Sequence, residues 1–331
     1  MQPLLDIRDL HIAFSAGRSS VPVVRGVDLQ VGRGEIVGLV GESGSGKSVT
    51  CMAVMGLLGG NARLSGEMRW EGQPIPSQDD RAMSRLRGNE LAMIFQDPMS
   101  ALNPVQTVGR QLLEAIRLND PDQSCCHAQK QRALELLGFV GVPDPEQRLD
   151  AYPHQLSGGL NQRVVIAMML AGNPRLLIAD EPTTALDVTV QAQIIDLLRQ
   201  LRDQRGMSII LVTHDLGVVV QACDRVVVMY CGQVVESGPV DAVFRTPHHP
   251  YTRGLLASLP RIDRDEDSLM PIPGTVPPPQ ELGVGCAFAP RCPSASAICL
   301  NSMPPSQHIE AGRVFACSSP FPVQSTRVQQ R

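Results

Sequence analysis

Aromatic residues are scarce in this chain. One Trp, three Tyr and seven Phe make up 3% of 331 residues. Positive charge is not in excess either, the formal net charge being −4. Nucleic-acid surfaces lean on basic patches and stacking rings, so this composition argues against that class. Long apolar runs are missing too. The most apolar helical stretch, residues 164–171, is only eight residues long, against the roughly 20 needed to cross a bilayer. The opening residues, MQPLLD, carry neither a basic segment nor a long apolar one, so no secretory signal is expected. The expectation is a protein kept in the cytoplasm, held at a membrane only through a partner.

Apolar residues make up 43% of the chain, enough for a sizeable core. The length suits one large domain with an appendage, or two ordinary domains. From about residue 4 to 244, short apolar runs alternate with helical stretches. Residues 35–40 (EIVGLV), 91–95 (LAMIF), 176–179 (LLIA), 208–212 (SIILV) and 225–229 (RVVVM) read as buried strands. Residues 192–203 read as a helix, apolar at Ile194, Ile195, Leu197, Leu198 and Leu201. Strands alternating with helices imply a largely parallel sheet covered on both faces. Residues 5–14 and 23–31 read as an antiparallel portion, with 32–34 as a turn. After Pro247 the texture changes. Residues 270–279 (MPIPGTVPPP) read as an extended proline-rich linker. Residues 285–320 combine Cys, Pro and Ser with few aliphatics, a composition that needs a staple. The expected division is 1–246 and 247–331.

Gly41, Glu42, Ser43, Gly44, Ser45, Gly46, Lys47 and Ser48 fit the pattern G-x-x-x-x-G-K-[ST]. The segment follows an apolar strand and precedes a helix expected to start near Lys47, the context such a loop requires. Its glycines let backbone N–H groups turn inward around phosphate oxygens, and the helix N-terminus adds a favourable dipole. Lys47 would reach the β- and γ-phosphates of ATP, and the Ser48 hydroxyl would ligate Mg²⁺. Asp180 and Glu181 follow directly on a strand. A carboxylate there can hold Mg²⁺ through water, and its neighbour can polarise an attacking water. Ser157, Gly158 and Gly159 open a helix about twenty residues before that strand, which makes a second anion site conceivable, although a capped helix start explains the same residues.

In order and spacing these segments resemble the ATPases of ABC transporters. The resemblance implies an α/β P-loop ATPase domain with an antiparallel β portion and a helical signature subdomain, followed by a small Cys/Pro-rich C-terminal extension. It implies Gln96 as the Q-loop residue and a Mg²⁺ ligand, and Ala185, Leu186 and Asp187 as the D-loop. It implies His214 as the switch histidine and Phe14 as the ring stacked on adenine. It also implies that two ATPase domains sandwich two ATP molecules, each between one domain's P-loop and the other's Ser157–Gly159 equivalent, with Glu181 as general base. The signature departs from the family's common form at Leu160 and Asn161, but the serine and both glycines remain.

The closer resemblance is to ATPases of dipeptide and oligopeptide importers, dipeptide importers most of all. It rests on residues 93–104 (MIFQDPMSALNP), 152–155 (YPHQ) and 249–252 (HPYT), and on the cysteine tail. The implied partners are a second similar ATPase, two membrane permeases and an extracytoplasmic peptide-binding protein, with no nucleic acid. The implied place is the cytoplasmic face of a bacterial inner membrane. Residues 96–104 would line a permease groove, with Ala101 and Leu102 in contact. A nickel importer, an exporter, a soluble ABC ATPase and a non-catalytic binding module stay open as alternatives. Cys286, Cys292, Cys299 and Cys317 form the frame C-x5-C-x6-C-x17-C. Thiolates can hold zinc or an iron–sulfur cluster. The frame lacks the x2–x4 pairs usual for structural zinc. The resemblance implies a [4Fe–4S] cluster, and free thiols remain an alternative. The other five cysteines, Cys51, Cys125, Cys126, Cys223 and Cys231, are scattered and read as ordinary core or surface residues.

Overall fold

The structure, a computed structural model, describes residues 2–17, 19–119, 125–184, 186–259, 271–309 and 312–320. Ala185 and Met270, named above, lie outside the described residues. In chain order the elements are strands β1 (Leu5–Ala16), β2 (Ser19–Val31) and β3 (Ile36–Val40), helix α1 (Lys47–Val54), strands β4 (Ala62–Trp70) and β5 (Gln73–Pro74), helix α2 (Asp80–Leu86) and strand β6 (Leu91–Ile94). Helices α3 (Pro98–Ala101), α4 (Val108–Asn119), α5 (Cys126–Phe139), α6 (Pro145–Leu149) and α7 (Gly158–Met169) follow. Next come β7 (Leu176–Asp180), α8 (Val188–Arg205), β8 (Ser208–Thr213), α9 (Leu216–Ala222), β9 (Arg225–Tyr230) and β10 (Gln233–Pro239). Helices α10 (Val240–Arg245), α11 (Pro250–Ala257) and α12 (Ala297–Asn301), then strands β11 (Gln307–Ile309) and β12 (Arg313–Phe315), complete the described chain.

The main sheet runs β11-β12-β10-β9-β3-β8-β7-β6. Its five strands from β9 to β6 are parallel, as the apolar runs require. In β7 and β8, alternate residues serve different cores. Leu177, Ala179, Ile209 and Leu211 join the helical side. Leu176, Ile178, Ile210 and Val212 join the other face, under the antiparallel sheet β2-β1-β4-β5. A strand whose two faces are both apolar must be covered twice, and here helices cover one face and a second sheet the other.

Helices α4 to α7 form a separate lobe over the first core, packed through Val108, Leu112, Ile116, Leu136, Leu137 and Val164. Leu102 is 3% exposed and belongs to this core. That corrects the expectation of a groove contact there: a charge at Leu102 would strike packing. Ala101, Phe95 and Val105 are exposed in the same stretch. Helix α8 is longer than the apolar periodicity implied. It is capped at one end by Asp187, whose carboxylate accepts from Val190 N–H, and at the other by Gly206 in the left-handed region.

The C-terminal segment does not fold on its own core. Strand β12 pairs antiparallel with β10, setting Glu236 opposite Phe315 and Ser237 opposite Val314. Tyr251 and Phe288 are buried in one cluster with Val226, Val228 and Tyr230 of the main sheet. The paucity of aliphatics in residues 285–320 is thus offset by aromatic packing against the ATPase strands. Among the described residues, no helix is long and apolar enough to cross a membrane.

Candidate nucleotide site

Helix α1 starts at Lys47 behind Gly46, which takes a φ of 95°. Gly41, at φ 149°, lies so close to the Met229 carbonyl that a Cβ would come within 2.1 Å of it, so only glycine fits this corner. Lys47 is buried, and its ammonium donates to the carbonyls of Gly41 at 2.8 Å and Glu42 at 3.1 Å, and to Ser45 Oγ at 3.3 Å. Burial pulls its pKa down, while Glu181 and Asp180 oppose that pull. The loop oxygens occupy donors that phosphate oxygens can take over.

Asp180 ends β7 and is 7% exposed. Its carboxyl pKa is raised by burial, with a hydrogen bond from Ser48 acting against the rise. Its Oδ1 is buried with no hydrogen-bond partner. An orphaned carboxylate oxygen beside a serine hydroxyl fits the donor set of a hard divalent cation such as Mg²⁺.

Glu181 stands just past the strand with φ 49°, a left-handed conformation that costs free energy for a non-glycine residue. Its backbone N–H donates to Val212 O at 2.9 Å, tying it to β8. Its carboxylate gathers three side chains. Gln96 Nε2 donates to Oε2 at 3.1 Å, Thr184 Oγ1 donates to Oε2 at 2.9 Å, and His214 Nδ1 stands 3.3 Å from Oε1. The ends of β6, β7 and β8 therefore bring Gln96, Asp180, Glu181 and His214 to one place, next to Lys47 and Ser48. Gln96 lies two residues past the end of β6 rather than within it.

Ser157 caps α7, its Oγ accepting from Leu160 N–H at 3.3 Å. A Cβ at Gly159 would meet Val190 Cγ1 at 2.6 Å, and the nearest neighbour at Gly158 is Leu186. The glycines thus let the start of α7 approach the start of α8 and Asp187. Phe14 is half-buried on β1 and packs against the core between the two sheets.

Two side chains outside the expected set bond carboxylates of the site. Thr184 is one; its hydroxyl three residues past Glu181 is the signal that could have found it. The other is Arg291, whose guanidinium holds the Glu42 carboxylate at 2.8 and 3.0 Å. It had no local signal beyond being a lone arginine among Cys and Pro.

Cys286, Cys292, Cys299 and Cys317 line one narrow pocket with His249, Phe288 and Ser294. Burial raises the thiol pKa of Cys286, Cys292 and Cys317, and the neighbouring thiols add to the rise. At Cys299, hydrogen bonds at Ser296 lower it. Among the described residues, no group of three or more His, Cys, Asp or Glu is arranged to hold a metal ion.

Residues 24–184 match the family model described as ABC transporter, and residues 235–299 match the one described as oligopeptide/dipeptide transporter, C-terminal region. The oligopeptide transport ATP-binding protein of Bacillus subtilis is 48% identical over 319 residues, 96% of this chain and 97% of its own length. The dipeptide transport ATP-binding protein of Haemophilus influenzae is 46% identical over 327 residues, 98% of each. Among solved structures, a dimeric ATP-binding cassette in a post-hydrolysis state bound to ADP and phosphate superposes with a TM-score of 0.64 at 27% identity, covering 71% of this chain and 98% of that one. A subunit of an ABC transporter complex from Clostridium perfringens gives 0.63 at 28% identity, covering 74% and 92%.

Proposed function

The chain belongs to the ABC transporter family, in its oligopeptide and dipeptide branch, and from that premise we propose that it binds and hydrolyses ATP to drive import of dipeptides or oligopeptides. The observation that carries this reading is the carboxylate of Glu181, held by Gln96, Thr184 and His214 at the strand ends beside Lys47 and Ser48. ATP binding engages the loop of Gly41, Glu42, Ser43, Gly44, Ser45, Gly46, Lys47 and Ser48, with Lys47 exchanging loop carbonyls for phosphate oxygens. Phe14 stacks on the adenine. Ser48, Asp180 and Gln96 would hold Mg²⁺, and the ion would supply positive charge against the phosphates. Glu181 accepts the proton of the attacking water, and His214 orients the γ-phosphate. Ser157, Gly158, Gly159 and Asp187 face the nucleotide of a second, similar ATPase, most simply a different chain.

Two integral-membrane permeases complete the transporter, on the cytoplasmic face of the inner membrane, and an extracytoplasmic peptide-binding protein feeds it. The exposed Ala101, Phe95 and Val105 suit a permease contact. The ATPase unit spans residues 1–246 and the extension 247–331. For the four thiols of the extension, which line one pocket, the proposed occupant is a [4Fe–4S] cluster of structural or regulatory role, in which a cubane would offer a separate iron to each thiolate.

Two experiments test the reading. The chain expressed with its neighbouring membrane subunits should copurify with them and support ATP-dependent peptide uptake in vesicles. Uptake of nickel in place of peptide would redirect the substrate assignment. Protein purified without oxygen should be brown, with about four irons per chain, and Cys→Ser at any of the four positions should diminish the colour. A colourless, iron-free preparation would sink the cluster and leave the ATPase assignment standing.

A further inference from the structure

The first corner of the phosphate loop is gripped from the far end of the chain. The peptide unit joining Gly41 to Glu42 is held on both sides. Its carbonyl accepts from Lys47 Nζ at 2.8 Å, and its N–H donates to Tyr251 Oη at 2.8 Å. Tyr251 is fully buried and its ring packs between Tyr230 and Phe288, so the hydroxyl is delivered by a rigid support. The Glu42 side chain is held in turn by Arg291, through Nη1 to Oε2 at 2.8 Å and Nη2 to Oε1 at 3.0 Å.

Arg291 is itself buried, at 7% exposure. A buried guanidinium is tolerable only when charge and donors are both matched. Here Nε donates to Pro273 O at 2.9 Å, Nη1 also to Tyr230 Oη at 3.3 Å, and Nη2 also to Ile272 O at 3.4 Å. With the two Glu42 bonds, all five N–H groups have acceptors. One side chain thereby ties the phosphate loop, the end of β9 and the segment at 272–273 together. Lysine, with a point charge and no planar fork, cannot reproduce this. Arg291 closes the turn Ala289–Arg291, between Cys286 and Cys292, so the packing of the cysteine segment decides where the guanidinium stands.

We propose that Arg291 and Tyr251 are positioning residues for ATP binding: the C-terminal extension orients the Gly41–Glu42 peptide, so that Lys47 and the loop stand ready for phosphate. The inference rests on residues 41–48 being the phosphate loop. It asks the extension to act on nucleotide affinity rather than on the chemical step, because neither residue reaches Glu181 or His214.

The test uses the full chain with Mg²⁺ and a non-hydrolysable ATP analogue, measuring Kd by calorimetry alongside KM and kcat for ATP. Tyr251→Phe keeps the ring and deletes only the acceptor; Arg291→Met deletes the fork. Each should raise Kd and KM about tenfold, equivalent to about 1.4 kcal/mol, with kcat nearly unchanged. Arg291→Lys should recover part of the loss. If Arg291→Met does not fold, Tyr251→Phe decides the matter. Wild-type Kd in folded Tyr251→Phe overturns the proposal, as does a fall in kcat with KM unchanged. A wild-type chain that binds no ATP overturns the phosphate-loop assignment and the inference with it, a failure distinguishable from the first.

Discussion

Two glutamates stand at the proposed nucleotide site, and they are held in opposite ways. Glu181 is bonded by neutral or titratable side chains from three strand ends, and one of them, His214, is 68% exposed. Glu42 is locked by a guanidinium with only 5% of its side chain exposed, 249 residues further along the chain. Partners such as Gln96 and His214 can release a carboxylate when water and phosphate arrive. A buried, fully satisfied Arg291 cannot let go without leaving a charge stranded. The first arrangement suits a base that must change partners in every cycle, and the second a fixed support.

The largest effect that would sharpen this contrast is at Glu181. Glu181→Gln should lower kcat by roughly 10²–10⁴-fold, the usual worth of a positioned base, while leaving nucleotide Kd close to wild type. Phosphate release and analogue binding measure the two quantities, and wild-type turnover would remove Glu181 from its role. A middle-sized effect is expected at Glu42. Glu42→Gln strips the countercharge from Arg291 and should weaken ATP binding by about tenfold with little change in kcat. A loss confined to kcat would erase the distinction between the two carboxylates. The smallest effect is at Thr184. Thr184→Val removes one donor to Glu181 Oε2 and should cost about threefold in kcat, the scale of one solvent-shared hydrogen bond. An unchanged rate would show that Gln96 and His214 suffice.

The same contrast sorts what was legible in the sequence. The grouping of residues 41–48 with Asp180 and Glu181 is readable because each lies within a few residues of a strand that announces itself by apolar content. The parallel strands are readable because burial on both faces leaves continuous apolar runs. Arg291 and Tyr251 are not readable, since their role exists only when residues about 250 and 209 positions apart meet. Leu102 misleads for a related reason: it follows an exposed stretch in sequence, yet helices α4 to α7 close over it. The extension's composition suggested a lobe needing a staple of its own. No local pattern could disclose that Phe288 would pack against the main sheet or that β12 would join it.

Strand β12 also has a bearing on how the protein keeps to itself in solution. It covers the outer side of β10, where Ala316 N–H reaches Val235 O at 2.9 Å and Arg313 reaches the buried Glu236 at 3.1 Å. Among the described residues only β11 lies beyond it, three exposed residues long and too short to recruit another strand. A chain cut back to its ATPase portion would trade that blunt margin for an open ribbon of unpaired amides and carbonyls along β10, the kind of surface on which foreign strands add and aggregates begin.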